Sequence, residues 1–218
     1  MDELRTEQME KHTDGMGEPV TTPAVNTALL AKWLNALFWL IIAANIADLF
    51  TGESVTKAAP LLSLAGQIIG IAANLIYGVI LLKISSESSY YRKAAIYFFI
   101  IFVVGIVWMP ISDGTAMLLE IPVSIVSIVI GMAGEYYEIR GHADVLRDVD
   151  NLRSEKWYRL WRWYVGILIG IIIGTVTAIV LPLLGLLIVL ASTIGMLVVT
   201  VLKIVYIYKM AKVFLRWS

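Results

Sequence analysis

Residues 163–206 read WYVGILIGIIIGTVTAIVLPLLGLLIVLASTIGMLVVTVLKIVY, an almost unbroken apolar run in which Lys203 is the one charged residue. As a single straight helix this run would measure about 65 Å, roughly twice the thickness of the hydrocarbon core of a bilayer. Pro182, near its midpoint, predicts a break because proline removes a backbone donor and clashes with the preceding turn. The run therefore predicts two membrane-crossing helices, 163–181 and 183–206, joined by a tight hairpin.

Four more apolar runs of similar character precede it, at residues 29–50, 60–82, 94–109 and 116–136. A helix needs about 20 mostly apolar residues to cross a bilayer. The composition agrees, because 59% of the 218 residues are hydrophobic and 16% are charged, against about 45–50% and about 25% in soluble domains. The sequence therefore predicts an all-α, polytopic membrane protein in which residues 27–218 form six transmembrane helices arranged in hairpins.

The distribution of basic residues predicts which side of the membrane each loop faces. With both termini in the cytoplasm, sixteen of the 17 Lys and Arg residues fall in cytoplasmic segments and Lys57 alone falls outside. Lys and Arg in short loops favour the cytoplasmic side, and a wrong span count would scramble this asymmetry. We therefore predict a multi-pass protein of the cell membrane with both termini cytoplasmic.

Two segments outside the apolar runs are long enough to have a role of their own. Residues 1–26 are rich in Asp and Glu, so we expect an acidic, disordered cytoplasmic tail. Residues 137–162 contain no proline and one glycine, which predicts a helical cytoplasmic loop. This helix either lies on the inner leaflet, which we favour, or docks a protein partner through its apolar stripe. The stripe consists of Val145, Val149 and Leu152.

Titratable residues around the start of this loop carry no special signal in the sequence. Glu135 and Glu138 lie close to Arg140, so we expect all three to be ordinary charges at the membrane interface. His142 is an isolated histidine in the loop, and such a residue is expected to be solvated.

Small residues recur at intervals of four in the second and fifth spans, which places them on one face of each helix. Small side chains let the backbones of membrane helices approach closely, so we predict helix packing at these positions. An interface between copies of the chain, or the lining of a pore, is the alternative. The glycines concerned are Gly66, Gly70, Gly78, Gly166, Gly170 and Gly174.

Four polar residues fall in the outer half of three predicted spans, and a polar group in the membrane is a candidate functional site. Two carboxylates and two amides at similar depth could surround a cation or a polar solute that enters from outside. The alternative is separate interfacial roles, because Pro122 could begin its span and leave Glu120 at the headgroup level. The four ligand-binding candidates are Glu120, Asp48, Asn45 and Gln67.

The sequence lacks the patterns of the common enzyme and nucleic-acid-binding classes. There is no cysteine and there are two histidines, so we expect no metal site and no cofactor. No phosphate-binding loop, zinc-protease motif or nucleophile elbow is present, and the basic residues flank membrane spans, so we expect neither catalysis nor nucleic-acid binding. Besides the lipid bilayer, the partner we expect is a membrane complex in which the chain is an accessory, scaffold or regulatory subunit. The alternative is a small-solute or ion transporter, or the substrate-binding membrane subunit of an importer.

Overall fold

The computed structural model of the chain describes residues 25–108 and 117–218, and this part contains helices and no strand. The predicted acidic tail lies outside the described residues up to position 24. The helices, in chain order, are α1 (Thr27–Asp48), α2 (Glu53–Ala58), α3 (Pro60–Lys83), α4 (Ser89–Trp108), α5 (Met117–Leu146), α6 (Asn151–Val180) and α7 (Pro182–Trp217).

Local sequence signals set where these helices begin. The Asn26 side chain accepts a hydrogen bond from the backbone of Leu29 at 3.0 Å and caps α1, and Asp150 caps α6 by accepting from Arg153 at 3.0 Å. Each of these side chains satisfies a backbone N–H that has no partner inside the helix. Helices α3 and α7 instead begin with proline, whose fixed φ suits the first helical turn.

Five of the described helices, α1, α3, α4, α6 and α7, are long and apolar enough to cross a membrane. The predicted break in the long apolar run is confirmed, since α6 ends at Val180 and α7 begins at Pro182. Gly185 lies against the backbone of Ala178 so closely that a Cβ at this position would overlap it. The two helices therefore meet at a tight hairpin that requires glycine.

The six long helices form a ring in chain order. Each packs against the helix before it and the helix after it, and α7 closes the ring by packing against α1, while the short α2 lies on α3. Within residues 25–108 and 117–218 no helix contacts the one opposite it. Because consecutive long helices pack side by side and at most eleven residues separate them in the chain, successive helices run in opposite directions around a common centre.

Hydrogen bonds show which connections share one end of the ring. The hydroxyl of Thr27 donates to the carbonyl of Trp217 at 3.1 Å, and the backbone N–H of Asn26 donates to Glu87 at 2.7 Å. We call this end, with the 84–88 turn, the 147–150 turn and the C-terminus of α7, the basic end, because Lys83, Arg147 and Arg216 lie there. The opposite end, with residues 49–59 and the α6–α7 turn, is the far end.

Residues 137–162 do not form a separate helix. They are the basic-end portions of α5 and α6, joined by a turn at 147–150. Of the predicted apolar stripe, Val145 is buried and Val149 packs against the core of the ring, whereas Leu152 is 75% exposed. The stripe is thus divided between the interior and the surface, because Val145 belongs to α5, Val149 to the turn and Leu152 to α6.

The predicted packing glycines fall into two groups. A Cβ added at Gly66, Gly78, Gly170 or Gly174 would lie 2.7–2.9 Å from an atom of a neighbouring segment, so these four make close contacts. At Gly70 and Gly166 a Cβ would meet no atom within 4 Å, so the close contact expected of these two is absent. Spacing places a residue on a face of its helix, but it does not determine how near the adjacent helix comes.

Candidate functional site

A cavity of about 690 Å³ occupies the centre of the ring. Every one of the six long helices contributes to its lining. On α3 the lining extends from Gly66 to Tyr77, which corresponds to about 16 Å at 1.5 Å per residue. Pockets of about 300–1,000 Å³ hold most small-molecule ligands, so this cavity is large enough for a solute of that class.

The far-end part of the cavity is polar. Asn45 and Asp48, one turn apart on α1, line it together with Gln67 of α3. The amide of Asn45 donates to the carbonyl of Ile41 at 2.8 Å, and Thr51 donates to the Asp48 carboxylate at 3.3 Å. The Asp48 side chain is exposed and lines the cavity, so its carboxyl group is accessible to whatever enters.

Three of the four predicted ligand-binding residues therefore come together. Asp48, Asn45 and Gln67 line one cavity from two adjacent helices. Glu120 belongs to the first turn of α5, but its side chain lies outside the described residues. The sequence predicts that these residues lie at a similar depth in the membrane. For the three described residues, the packing of α1 against α3 brings their side chains to the same cavity.

The opposite limit of the cavity, which we call the floor, is formed by Glu135, Lys203 and Tyr77. The ammonium Nζ of Lys203 donates to both oxygens of Glu135, at 2.8 and 2.7 Å, and to Glu138 Oε2 at 2.9 Å. It also lies 5.5 Å from the centre of the Tyr77 ring. Two carboxylates, Glu135 in the floor and Glu138 behind it, thus share the one ammonium of Lys203.

Glu138 and His142 lie behind the floor and are fully buried. Glu138 Oε1 accepts hydrogen bonds from the Tyr77 hydroxyl and, at 3.1 Å, from His142 Nε2. His142 Nδ1 lies 2.9 Å from the Tyr91 hydroxyl. A neutral imidazole that carries its proton on Nε2 and accepts from Tyr91 satisfies every one of these contacts. This arrangement replaces the expectation of a solvated histidine and an ordinary interface glutamate.

Two groups of this network belong to the part of α5 beyond its apolar portion, and burial governs their protonation. Burial lowers the pKa of His142 below its usual value, although the adjacent Glu138 opposes the shift. Burial alone would raise the pKa of Glu138, but the charge of Lys203 and the hydrogen bond from His142 hold it well below its usual value. At neutral pH the pair is a carboxylate beside a neutral imidazole.

The sequence contained a weak signal for this network. Glu135, Glu138 and His142 are spaced by three and four, so they share one face of α5. Lys203 is the single charge in a 44-residue apolar run, and a charge inside a membrane span usually has a partner. Proximity in sequence favours Arg140 as the partner of Glu138, whereas the ammonium that pairs with Glu138 is that of Lys203, 65 residues away.

The cavity wall is unequal around the ring. Helices α1, α3 and α4 line it from the floor to the far end, where Asp48 and Trp108 lie. Helices α6 and α7 contribute only near the floor: α6 residues after Tyr164 and α7 residues before Val199, all of which are described, do not line it. Among residues 25–108 and 117–218, the lining therefore surrounds the cavity on all sides at the floor, whereas nearer the far end the hairpin of α6 and α7 contributes none of it.

No family model, no curated protein and no solved structure matches this chain.

Proposed function

We propose that the protein is a six-span protein of the cell membrane that binds a cation or small polar solute in its central cavity. It would act as a small-solute or ion transporter, or as the substrate-binding membrane subunit of an importer. The observation that carries this proposal is the cavity itself, whose lining extends about 16 Å along α3, from Gly66 to Tyr77 in the charged floor. In a helix bundle that binds no ligand, we would expect side chains to fill the interior at the usual packing density of proteins.

Six spans and cytoplasmic termini are supported by the ring together with the charge pattern. Residues 116–136, most of which belong to α5, are as long as a bilayer requires. With six crossings, both ends of the described chain lie at the basic end, as the contact between Thr27 and Trp217 requires. The excess of Lys and Arg at this end supports a cytoplasmic location for it, so the cavity would open towards the outside.

Charge supports the choice of ligand. Asp48 lies near the mouth of the cavity, and at the floor the carboxylates of Glu135 and Glu138 share the single ammonium of Lys203. A cation that moves from Asp48 to Glu135 would meet negative charge at both limits of the cavity. Oxygen ligands of this kind suit alkali and alkaline-earth cations and organic ammonium groups alike.

The accessory or scaffold role, which the sequence alone favours, becomes the weaker proposal. Part of its support is the helical segment 137–162 with its apolar stripe, and two of the three stripe residues, Val145 and Val149, pack into the ring. Leu152 is the one left on the surface for a partner. An oligomer is compatible with either role.

The test fills the cavity without disturbing the packing of the helices. Gly70 lines the cavity, and a Cβ there would meet no atom within 4 Å, so Gly70→Phe places a ring in the open space. Gly166→Phe is the matched control, because Gly166 is equally uncrowded but does not line the cavity. The probes are Na⁺, K⁺, Ca²⁺ and small amines, added to protein in lipid nanodiscs while thermal unfolding is followed.

A probe that binds raises the unfolding temperature, by an amount that corresponds to about 2.7 kcal/mol at about 100 times its Kd. We expect this shift in the wild-type protein and in Gly166→Phe, and its loss in Gly70→Phe. Asp48→Asn should weaken it. If no probe shifts the wild-type protein, or if the shift is the same in Gly70→Phe, solute binding in the cavity is wrong.

A further inference from the structure

The far-end half of the α6–α7 hairpin packs mainly on itself. Beyond Leu160, the one buried residue of α6 is Gly174, and before Val199 the one buried residue of α7 is Gly185. Both glycines contact the other helix of the same hairpin: a Cβ at Gly174 would meet Val189, and one at Gly185 would meet Ala178. In this half of the hairpin, therefore, no large side chain is buried against α1 or α5.

This loose packing coincides with the unequal wall of the cavity. The residues of the hairpin that bury little are also those that do not line the cavity. In the same half of α1, Ala43 and Ile46, which do not line the cavity, are exposed. The cavity consequently communicates sideways with the surroundings of the ring, and for a membrane-spanning ring those surroundings are the acyl chains of the bilayer.

The cavity lining is charged at the floor and apolar above it, which suits a ligand with one polar and one apolar part. Around the floor the polar groups of Glu135 and Lys203 face the cavity. Between the floor and Asp48 the wall includes the apolar side chains of Ile41, Ile71 and Phe98. A ligand with one charged head and one apolar chain could place its head at the floor while its chain leaves between the helices into lipid.

We propose that the ligand is a membrane-soluble amphiphile with a cationic amine head and a single apolar chain, which enters the cavity sideways between the hairpin and its neighbours. Its ammonium would bind at Glu135, where two carboxylates share the one ammonium of Lys203. The sideways opening matters because a chain that stays in lipid need not be desolvated on entry. This inference rests on the proposed solute-binding function and specifies its substrate class.

The test compares an amine that partitions into lipid with one that does not. Dodecylamine, propylamine and uncharged dodecanol are added to the protein in phosphatidylcholine nanodiscs, and thermal unfolding is followed by tryptophan fluorescence. We expect dodecylamine to stabilise the protein at a concentration at least about tenfold lower than propylamine, because its chain concentrates it in the bilayer. Dodecanol should have no effect, and Glu135→Gln should weaken the effect of dodecylamine.

The controls separate binding in the cavity from a general effect on the bilayer. Stabilisation by dodecylamine should be lost in Gly70→Phe and retained in Gly166→Phe, whose matched side chain lies outside the cavity. Equal stabilisation of Gly70→Phe, or equal stabilisation by dodecanol, overturns the proposal.

Other outcomes distinguish this inference from the function on which it rests. If propylamine or a metal cation is as effective as dodecylamine, sideways entry is wrong while solute binding stands. If none of the probes acts on any variant, both proposals fall. If cross-linking through cysteines introduced on α6 shows a second copy of the chain covering the opening, the occupant is that copy and not an amphiphile.

Discussion

Replacing Lys203 by methionine leaves two carboxylates, Glu135 in the floor and Glu138 behind it, without the ammonium that they share. Glu138 is fully buried, and the side chain of Glu135 is 25% exposed towards the cavity. Removing one partner of a buried ion pair costs about 3–5 kcal/mol, because the remaining charge keeps its desolvation penalty and loses the compensating attraction. We expect most of this cost to come from Glu138, since water in the cavity can reach Glu135.

The assay is unfolding by SDS in mixed micelles, with the free energy of unfolding extrapolated to zero SDS. Lys203→Met should lower this free energy by about 3–5 kcal/mol. Adding Glu138→Gln to Lys203→Met should recover part of the loss, since the buried charge that lacks a partner is then gone. The interaction energy of the double-mutant cycle should be about 0.5–3 kcal/mol.

Lys209→Met is the matched control, because Lys209 is exposed on the same helix and its loss should change stability by no more than about 0.5 kcal/mol. The reasoning is refuted if Lys203→Met behaves like Lys209→Met. It is equally refuted if the effects of Lys203→Met and Glu138→Gln simply add.

Three further predictions concern pH, packing and topology. Because the pKa of His142 is lowered on folding, the unfolded chain takes up a proton at higher pH than the folded protein, so stability should fall as pH decreases from about 7 to about 5. His142→Gln, which leaves Glu138, Tyr91 and Lys203 around it in place, should make stability depend less on pH. If the pH dependence is unchanged in this variant, it belongs to other groups. Gly174→Leu should destabilise the protein by roughly 1–3 kcal/mol through overpacking against α7, whereas Gly166→Leu should have little effect; equal losses would contradict the packing described. A single cysteine at residue 54 should react with an impermeant thiol reagent from outside the cell, and one at residue 88 should not; the reverse labelling would invert the proposed topology.

The helices and the hairpin could be predicted because they depend on local properties. Hydropathy locates an apolar run, and Pro182 breaks it wherever the helix lies. The packing of α1 against α7, which closes the ring, could not be predicted in the same way, because no sequence pattern in either helix indicates which helix it packs against. The same limit explains the glycines: Gly70 and Gly174 have equivalent spacing in their stripes, but one faces a cavity and the other faces Val189.

The sequence likewise identifies one part of the candidate site and not the other. Asp48, Asn45 and Gln67 were identified because polar residues stand out within apolar runs, and their depth could be estimated from the helix rise. The network of Glu138, His142 and Lys203 was not identified. Whether a charge at the end of a span faces lipid headgroups or the interior depends on the rotation of the helix, and that rotation is fixed by packing between distant segments.

The contact that closes the ring also orders its assembly. All other neighbours in the ring are consecutive in the chain and can pack as soon as the second member has been synthesised, but α1 must wait for α7, more than 150 residues later. Until then the face of α1 that carries Leu30, Leu34 and Leu37, which is buried in the finished ring, lacks its last neighbour. Insertion of the final helix is therefore the step that closes the ring and brings Lys203 to the floor of the cavity, and a chain arrested during translation before α7 would lack both.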